Sequence, residues 1–362
     1  MLKRSLTILW CAALILLILL FPNVALSSAS SAISSWMNIV LPSLLPFCIA
    51  TSLLEECGAV AVIARWLQPF TTKVFGFSGA FSYAFLASCL SGYPVGAKIT
   101  SESYAKGQLG QAEATQIVNC TSTSGPMFLV GAVAIGMLGD ASLAKYLLLP
   151  HYLSAILLAI ITGRHFHKKH PEALTRLPQT VLSAPVSFGG ALSRSVGKSL
   201  DSMLAVGGFM VIYSVFAQGL LALFQLILPA AANANTRQLL SLGLGALEMT
   251  TGCVHSDILP LPQRILYLCG VVSFGGLCIQ SQTTALCSKN DLPIRGLFLH
   301  KTLQGLLSVA CSMLLMLFFP LQQTLQPSHY LPAGSYLPMA IFLGICALVC
   351  LLLCIRKRCQ KT

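Results

Sequence analysis

The sequence predicts an all-α fold, a polytopic transmembrane helical bundle made of two inverted repeats with broken or re-entrant helices. Three observations predict it. Of 362 residues, 56% are hydrophobic and only 9% charged, against roughly a quarter charged in an ordinary soluble domain, which excludes a soluble globular protein. The mean hydropathy is +0.80, and apolar runs of about 20 residues, the length of a membrane crossing, recur along the chain. Lys and Arg gather in particular polar gaps, which the positive-inside tendency converts into sidedness. The formal net charge of +12 is therefore a topology signal, and no nucleic-acid partner is expected.

In chain order, residues 1–35 open with Lys3 and Arg4 and stay apolar to about Phe21. They read as an uncleaved transmembrane helix in preference to a signal peptide, although the small residues from Ala25 to Ala32 offer a cleavage site. A first repeat, 36–163, holds apolar segments at 36–57, 79–98, 116–137 and 143–163. The stretch 164–198 carries Arg164, Lys168, Lys169, Arg176, Arg194 and Lys198 against Glu172 alone, so it reads as a basic cytoplasmic linker. A second repeat, 199–319, holds segments at 200–228, 238–257, 264–287 and 297–319, with Lys289, Arg295 and Lys301 assigning the loop before the last one to the inside. Residues 320–362 add a span at 336–355 and a basic tail at Arg356-Lys357-Arg358 and Lys361, while 320–335 lacks Lys and Arg and is placed outside.

Parity then constrains the middle of each half. From an inside loop with Arg65 and Lys73 to an outside Asp140 only an odd number of crossings fits, yet two apolar segments are present. One of them is re-entrant, or the two share a crossing as half-helices. The second half repeats the pattern in the opposite direction, as expected of an inverted repeat. His151-Tyr152-Leu153 and His300-Lys301-Thr302, which open the two closing helices, echo one another, as do Ser91-Gly92 and Thr251-Gly252.

Four places interrupt the apolar pattern and supply the candidate solute-binding residues. Gly92, Tyr93, Pro94 and Gly96 end a helix and lead directly to the cation Lys98. Asn119, Thr121, Ser122, Thr123, Ser124 and Gly125 precede Pro126 in a run that a lipid-facing helix would not carry. Glu248, with Thr250 and Thr251 beside it, puts an ionisable group inside an apolar run at a cost of roughly 2.5 kcal/mol or more. Gln280 and Gln282 follow Gly275-Gly276. Backbone freed at such breaks must be satisfied by protein, water or ligand, and helix N-termini there favour an anion. A snorkelling role for Lys98 and a helix-locking role for a protonated Glu248 are the structural alternatives.

No phosphate-binding loop, paired-histidine metal motif, C-x-x-C or nucleophile elbow is visible, so neither an enzyme nor a cofactor or metal site is expected. The 14 cysteines are scattered through apolar segments and read as small packing residues.

Pro42-Ser43-Leu44-Leu45-Pro46-Phe47, then Ser91-Gly92-Tyr93-Pro94-Val95-Gly96-Ala97-Lys98, then Ser122-Thr123-Ser124-Gly125-Pro126-Met127-Phe128 and His151-Tyr152-Leu153 resemble the sporulation integral membrane proteins of the YlbJ type, within the nucleoside recognition (Gate) group. The match in order and spacing covers about 42–155 and, in the second half, rests mainly on Gly245 to Gly252. The resemblance implies a multi-pass protein of the mother-cell or outer forespore membrane, linked to moving dipicolinic acid toward the forespore. A small planar dianion fits Lys98 and the helix N-termini near Gly92 to Gly96 and Ser124 to Met127. The expected function is a transporter or facilitator of a small anionic solute by alternating access. A nucleoside transporter and a non-transporting scaffold or assembly factor are the alternatives. The expected partners are the solute and the lipid bilayer, with a homo-oligomer or other sporulation membrane proteins left open.

Overall fold

Hydrocarbon offers a backbone N–H or C=O no partner, and a chain this apolar meets the demand internally with helices. The computed structural model describes residues 2–170, 187–227 and 240–321, and among them no strand occurs. In order the helices are α1 (Leu2–Leu20), α2 (Pro22–Ser35), α3 (Leu41–Glu56), α4 (Ala59–Val74), α5 (Gly79–Ser91), α6 (Val95–Ala105) and α7 (Gln111–Cys120). Then come α8 (Ala144–Lys169), α9 (Phe188–Ile227), α10 (Met249–Val254), α11 (Leu261–Phe274), α12 (Gly276–Ser288) and α13 (Leu297–Phe318). A π-helical turn at Trp36–Val40 joins α2 to α3, and a second π-helical stretch occupies Phe128–Met137.

Among the described residues, five helical stretches are long and apolar enough to cross a membrane: Pro22–Glu56, Ala141–Lys169, Phe188–Ile227, Leu261–Ser288 and Leu297–Phe318. A sixth arises if Arg65–Val74 and Gly79–Ser91, bent by 93°, are one broken span. The protein is thus a multi-pass, all-helical membrane protein in contact with the lipid bilayer.

Small residues set the close approaches. The Trp36 indole donates to the Met203 carbonyl at 3.0 Å and lies against Gly207, which fastens the α2–α3 rod along α9. On another side α8, α11 and α13 pack together, with Gly305 of α13 against the Gly270 carbonyl of α11. A Cβ on Gly163 of α8 would fall 2.0 Å from the Phe75 carbonyl, so only glycine lets the α4–α5 corner reach α8. The broken helices join the two groups: α7 packs on α8 and α13, whereas α12 packs on α9 and α6.

The structure refines three segments of the sequence reading. The described part of 238–257 holds only short pieces, a turn at 240–243, 3-10 turns at Leu244–Ala246 and His255–Ile258, and α10 between them. A six-residue helix such as α10 rises only about 9 Å and cannot cross a bilayer. The segment 116–137 is interrupted from Thr121 to Gly125, at the break that the sequence marks before Pro126. Both ends of the basic stretch 164–198 are helical, since α8 continues to Lys169 and α9 starts at Phe188, and 171–186 lie outside the described residues. Residues 322–362, with the expected outside loop and final span, lie outside the described residues.

Candidate functional site

The four sequence breaks meet. At the first, α5 ends on Gly92 with φ +82°, a cis peptide bond joins Tyr93 to Pro94, and α6 begins. A Cβ on Gly92 would lie 2.7 Å from the Gly125 nitrogen, and one on Gly96 2.5 Å from the Thr121 carbonyl. The first and second breaks are therefore in backbone contact, which glycine alone permits. The Ser88 hydroxyl bridges them, hydrogen-bonded to the Thr123 hydroxyl at 2.8 Å and accepting from the Thr123 amide at 3.2 Å.

The second break is tied to the fourth through His151. The Ser124 amide donates to His151 Nε2 at 3.0 Å, so the ring carries its proton on Nδ1 and donates it to Ser273 Oγ at 2.8 Å. The Tyr93 hydroxyl donates to the Val272 carbonyl at 2.9 Å and connects the first break with the fourth. Gly275 and Gly276, with φ +79° and +69°, turn the chain from α11 into α12. The Cys278 amide then donates to the Leu247 carbonyl at 2.9 Å, joining the fourth break to the third.

Glu248 is the N-cap of α10. Its carboxylate accepts from the Thr250 amide at 2.9 Å, the Thr251 amide at 2.6 Å and the Thr251 hydroxyl at 2.7 Å. It is 4% exposed. Two cavities meet at this side chain. A small one of about 50 Å³ lies between Ser43, Tyr93, Ser124, Gly125, Glu248 and Gln282. A larger cleft of about 330 Å³ opens past Ser28, Ser31, Ser214, Gln218 and His255. Met210, Glu248 and Thr250 line both.

Among the sequence candidates, Tyr93, Ser124, Gly125, Glu248, Thr250 and Gln282 line the small cavity, and Thr251 lines the larger cleft. Gly92 and Gly96 form the backbone contact behind it. Thr123 is bonded to Ser88, and the Ser122 hydroxyl donates back to the Val118 carbonyl. Asn119 donates to the Arg295 carbonyl at 3.0 Å, away from the cavity lining. The Thr121 hydroxyl and Asn119 Oδ1 are buried without a partner. Gln280 is buried and lies 3.4 Å from the Phe274 carbonyl. Pro94 and Lys98 border a separate small cleft, where Lys98 Nζ donates to Ser52 Oγ at 3.2 Å beside Glu55.

Lys301, which the sequence reading uses as an inside marker at the opening of the closing helix, is 1% exposed, one turn into α13. Its ammonium donates to the Ser122 carbonyl and to Gln304 Oε1, and sits 5.3 Å from the centre of the Tyr93 ring. Among the described residues no carboxylate pairs with it. The signal that finds it is the run His300, Lys301, Gln304, Ser308 and Ser312, all buried, a polar stripe at fourfold spacing in an otherwise apolar helix.

Residues 38–141 match the nucleoside recognition (Gate) family model, which covers the first two breaks. Over 327 residues the chain is 28% identical to the sporulation integral membrane protein YlbJ of Bacillus subtilis (strain 168), covering 81% of this chain and 78% of that protein. No solved structure matches. With helix breaks that bring both halves to one buried polar centre, the chain is a multi-pass membrane protein that matches the nucleoside recognition (Gate) family over one segment and is similar, over most of its length, to a sporulation integral membrane protein.

Proposed function

We propose that the protein is a transporter or facilitator of a small anionic solute, working by alternating access, with dipicolinic acid moved toward the forespore as the first candidate. The observation that carries this reading is the meeting of four helix breaks, at Gly92–Pro94, Thr121–Pro126, Leu247–Glu248 and Gly275–Gly276, round one cavity. A scaffold or assembly factor gains nothing from broken backbone at membrane depth, whereas a solute site needs it.

The cavity of about 50 Å³ holds a water or two, whose share of the liquid is about 30 Å³ each, and must widen to admit an aromatic dicarboxylate. That is what a closed state in an alternating-access cycle requires. We read 36–163 and 199–319 as inverted repeats that rock to open it, with Lys98 meeting a carboxylate of the solute at the neighbouring cleft. Ser124, Gln282 and the Thr250–Thr251 pair supply neutral hydrogen bonds. The membrane proposed is that of the mother cell or the outer forespore membrane.

A nucleoside is the second reading, favoured by one observation: the lining of both cavities includes a carboxylate and amides but no Lys or Arg. Uptake by vesicles containing the purified protein separates the readings. Saturable entry of labelled dipicolinate, above protein-free vesicles, is the expected result. Entry of a nucleoside alone selects the second reading, and entry of neither returns the protein to the scaffold class.

A further inference from the structure

A charge inside a membrane bundle is normally paired, because an uncompensated one is expensive in a medium of low polarity. Lys301 departs from that rule. Its ammonium is held by two carbonyl-type oxygens, of Ser122 and Gln304, and by the face of Tyr93. These are dipoles that solvate a cation and carry no net charge. The nearest titratable carboxylate at the cavity, Glu248, is already committed to the Thr250 and Thr251 amides.

The position of this unpaired charge relative to the cavity is the second observation. Tyr93 presents its ring to Lys301 and also lines the cavity. Ser122, whose carbonyl receives the ammonium proton, is two residues from Ser124 in the same wall. The charge therefore sits one side-chain layer behind the surface that a solute would touch. At that range a fixed charge in a water-poor site acts strongly on an ion in the cavity. The dipoles keep it in place when the cavity is empty, and an arriving carboxylate completes the pair.

We infer that the Lys301 ammonium is the positive charge that makes this cavity select anions, acting through the Tyr93 and Ser122–Ser124 wall without touching the solute. The inference rests on the transport reading above and deepens it by assigning the charge that sets the solute class. Because the lysine is a positioning and selectivity residue, its loss changes which solutes bind well before it changes how the helices pack.

Gln304→Glu is the sharpest test, since it is nearly isosteric and gives Lys301 an internal carboxylate at the atom it already contacts. The protein is reconstituted in vesicles, and uptake is measured with pyridine-2,6-dicarboxylate as probe. The expected result is a rise of about tenfold or more in half-saturating concentration, with thermal unfolding in detergent no lower than wild type, because the new ion pair holds the same two side chains together. Lys301→Gln, which keeps a hydrogen-bonding side chain without charge, should raise it similarly. Wild-type half-saturation in either variant overturns the inference, and so does a Gln304→Glu protein that unfolds below wild type. Wild-type vesicles that take up no dicarboxylate overturn the transport reading itself, a result distinct from both.

Discussion

At the scale of single residues, the most informative group is Glu248. The sequence exposes it as an ionisable side chain in an apolar run, and the structure explains how it is tolerated: two amides and a hydroxyl surround the carboxylate at the start of α10. Removing a cap typically costs about 1–2 kcal/mol. Glu248→Ala should therefore lower thermal unfolding in detergent by that amount, while Glu248→Asp, which keeps a carboxylate at the cap, should retain most of it. An unchanged Glu248→Ala protein would show that the cap is not formed. Lys301 was not legible in the same way, because a cation near a helix end looks alike in sequence whether it snorkels to water or turns inward. Only the fourfold spacing of its polar neighbours along α13 distinguishes the two. Lys98, legible as a cation beside a break, lies in a different cleft with Ser52 and Glu55, a placement that no pattern of residue types encodes.

At the scale of elements, glycine and proline mark the breaks reliably: Gly92 to Pro94, the run before Pro126, and Gly275-Gly276 all fall where helices end. Why these residues must be glycine comes only from packing. Gly96 faces the Thr121 carbonyl, whereas a Cβ on Gly131 would meet nothing within 4 Å beyond its own helix. Gly96→Ala should therefore destabilise the protein by about 1–3 kcal/mol, and Gly131→Ala should stay within about 0.5 kcal/mol, as read by paired unfolding curves. Equal effects at the two sites would remove the close contact of the first two breaks. In the segment 238–257 hydropathy averages over several interruptions, of which the sequence shows the one at Glu248. Its apolar content suits a span, but glycines at 243, 245 and 252 and the capping Glu248 divide it into turns.

At the scale of the whole molecule, composition and length are enough to read a polytopic helical bundle, and the five or six candidate crossing helices among the described residues agree with it. Sidedness has a structural handle at Glu56, which pairs with Arg194 at 2.9 Å and Lys198 at 2.7 Å. The end of α3 and the start of α9 thus lie together, as the charge pattern requires. Asp140 lies beyond the far end of α8, whose 26 residues extend about 39 Å. Single cysteines at 56 and 194 should react with an impermeant thiol reagent from one face of the membrane, and a cysteine at 140 from the other. Labelling of all three from one face would dismantle the topology.

The central claim is that solute enters the cavity enclosed by the four breaks, and site protection tests it most directly. In a cysteine-free background, Ser43→Cys places a thiol on the cavity lining and Ser142→Cys places one on the exposed turn before α8, outside both the cavity and the Lys98 cleft. Dipicolinate at saturating concentration should slow methanethiosulfonate modification at position 43 by about tenfold or more, the loss expected when most sites are occupied, and leave position 142 little changed. Unslowed modification at 43 by dipicolinate and by nucleosides alike, in protein that takes up either, would contradict the account.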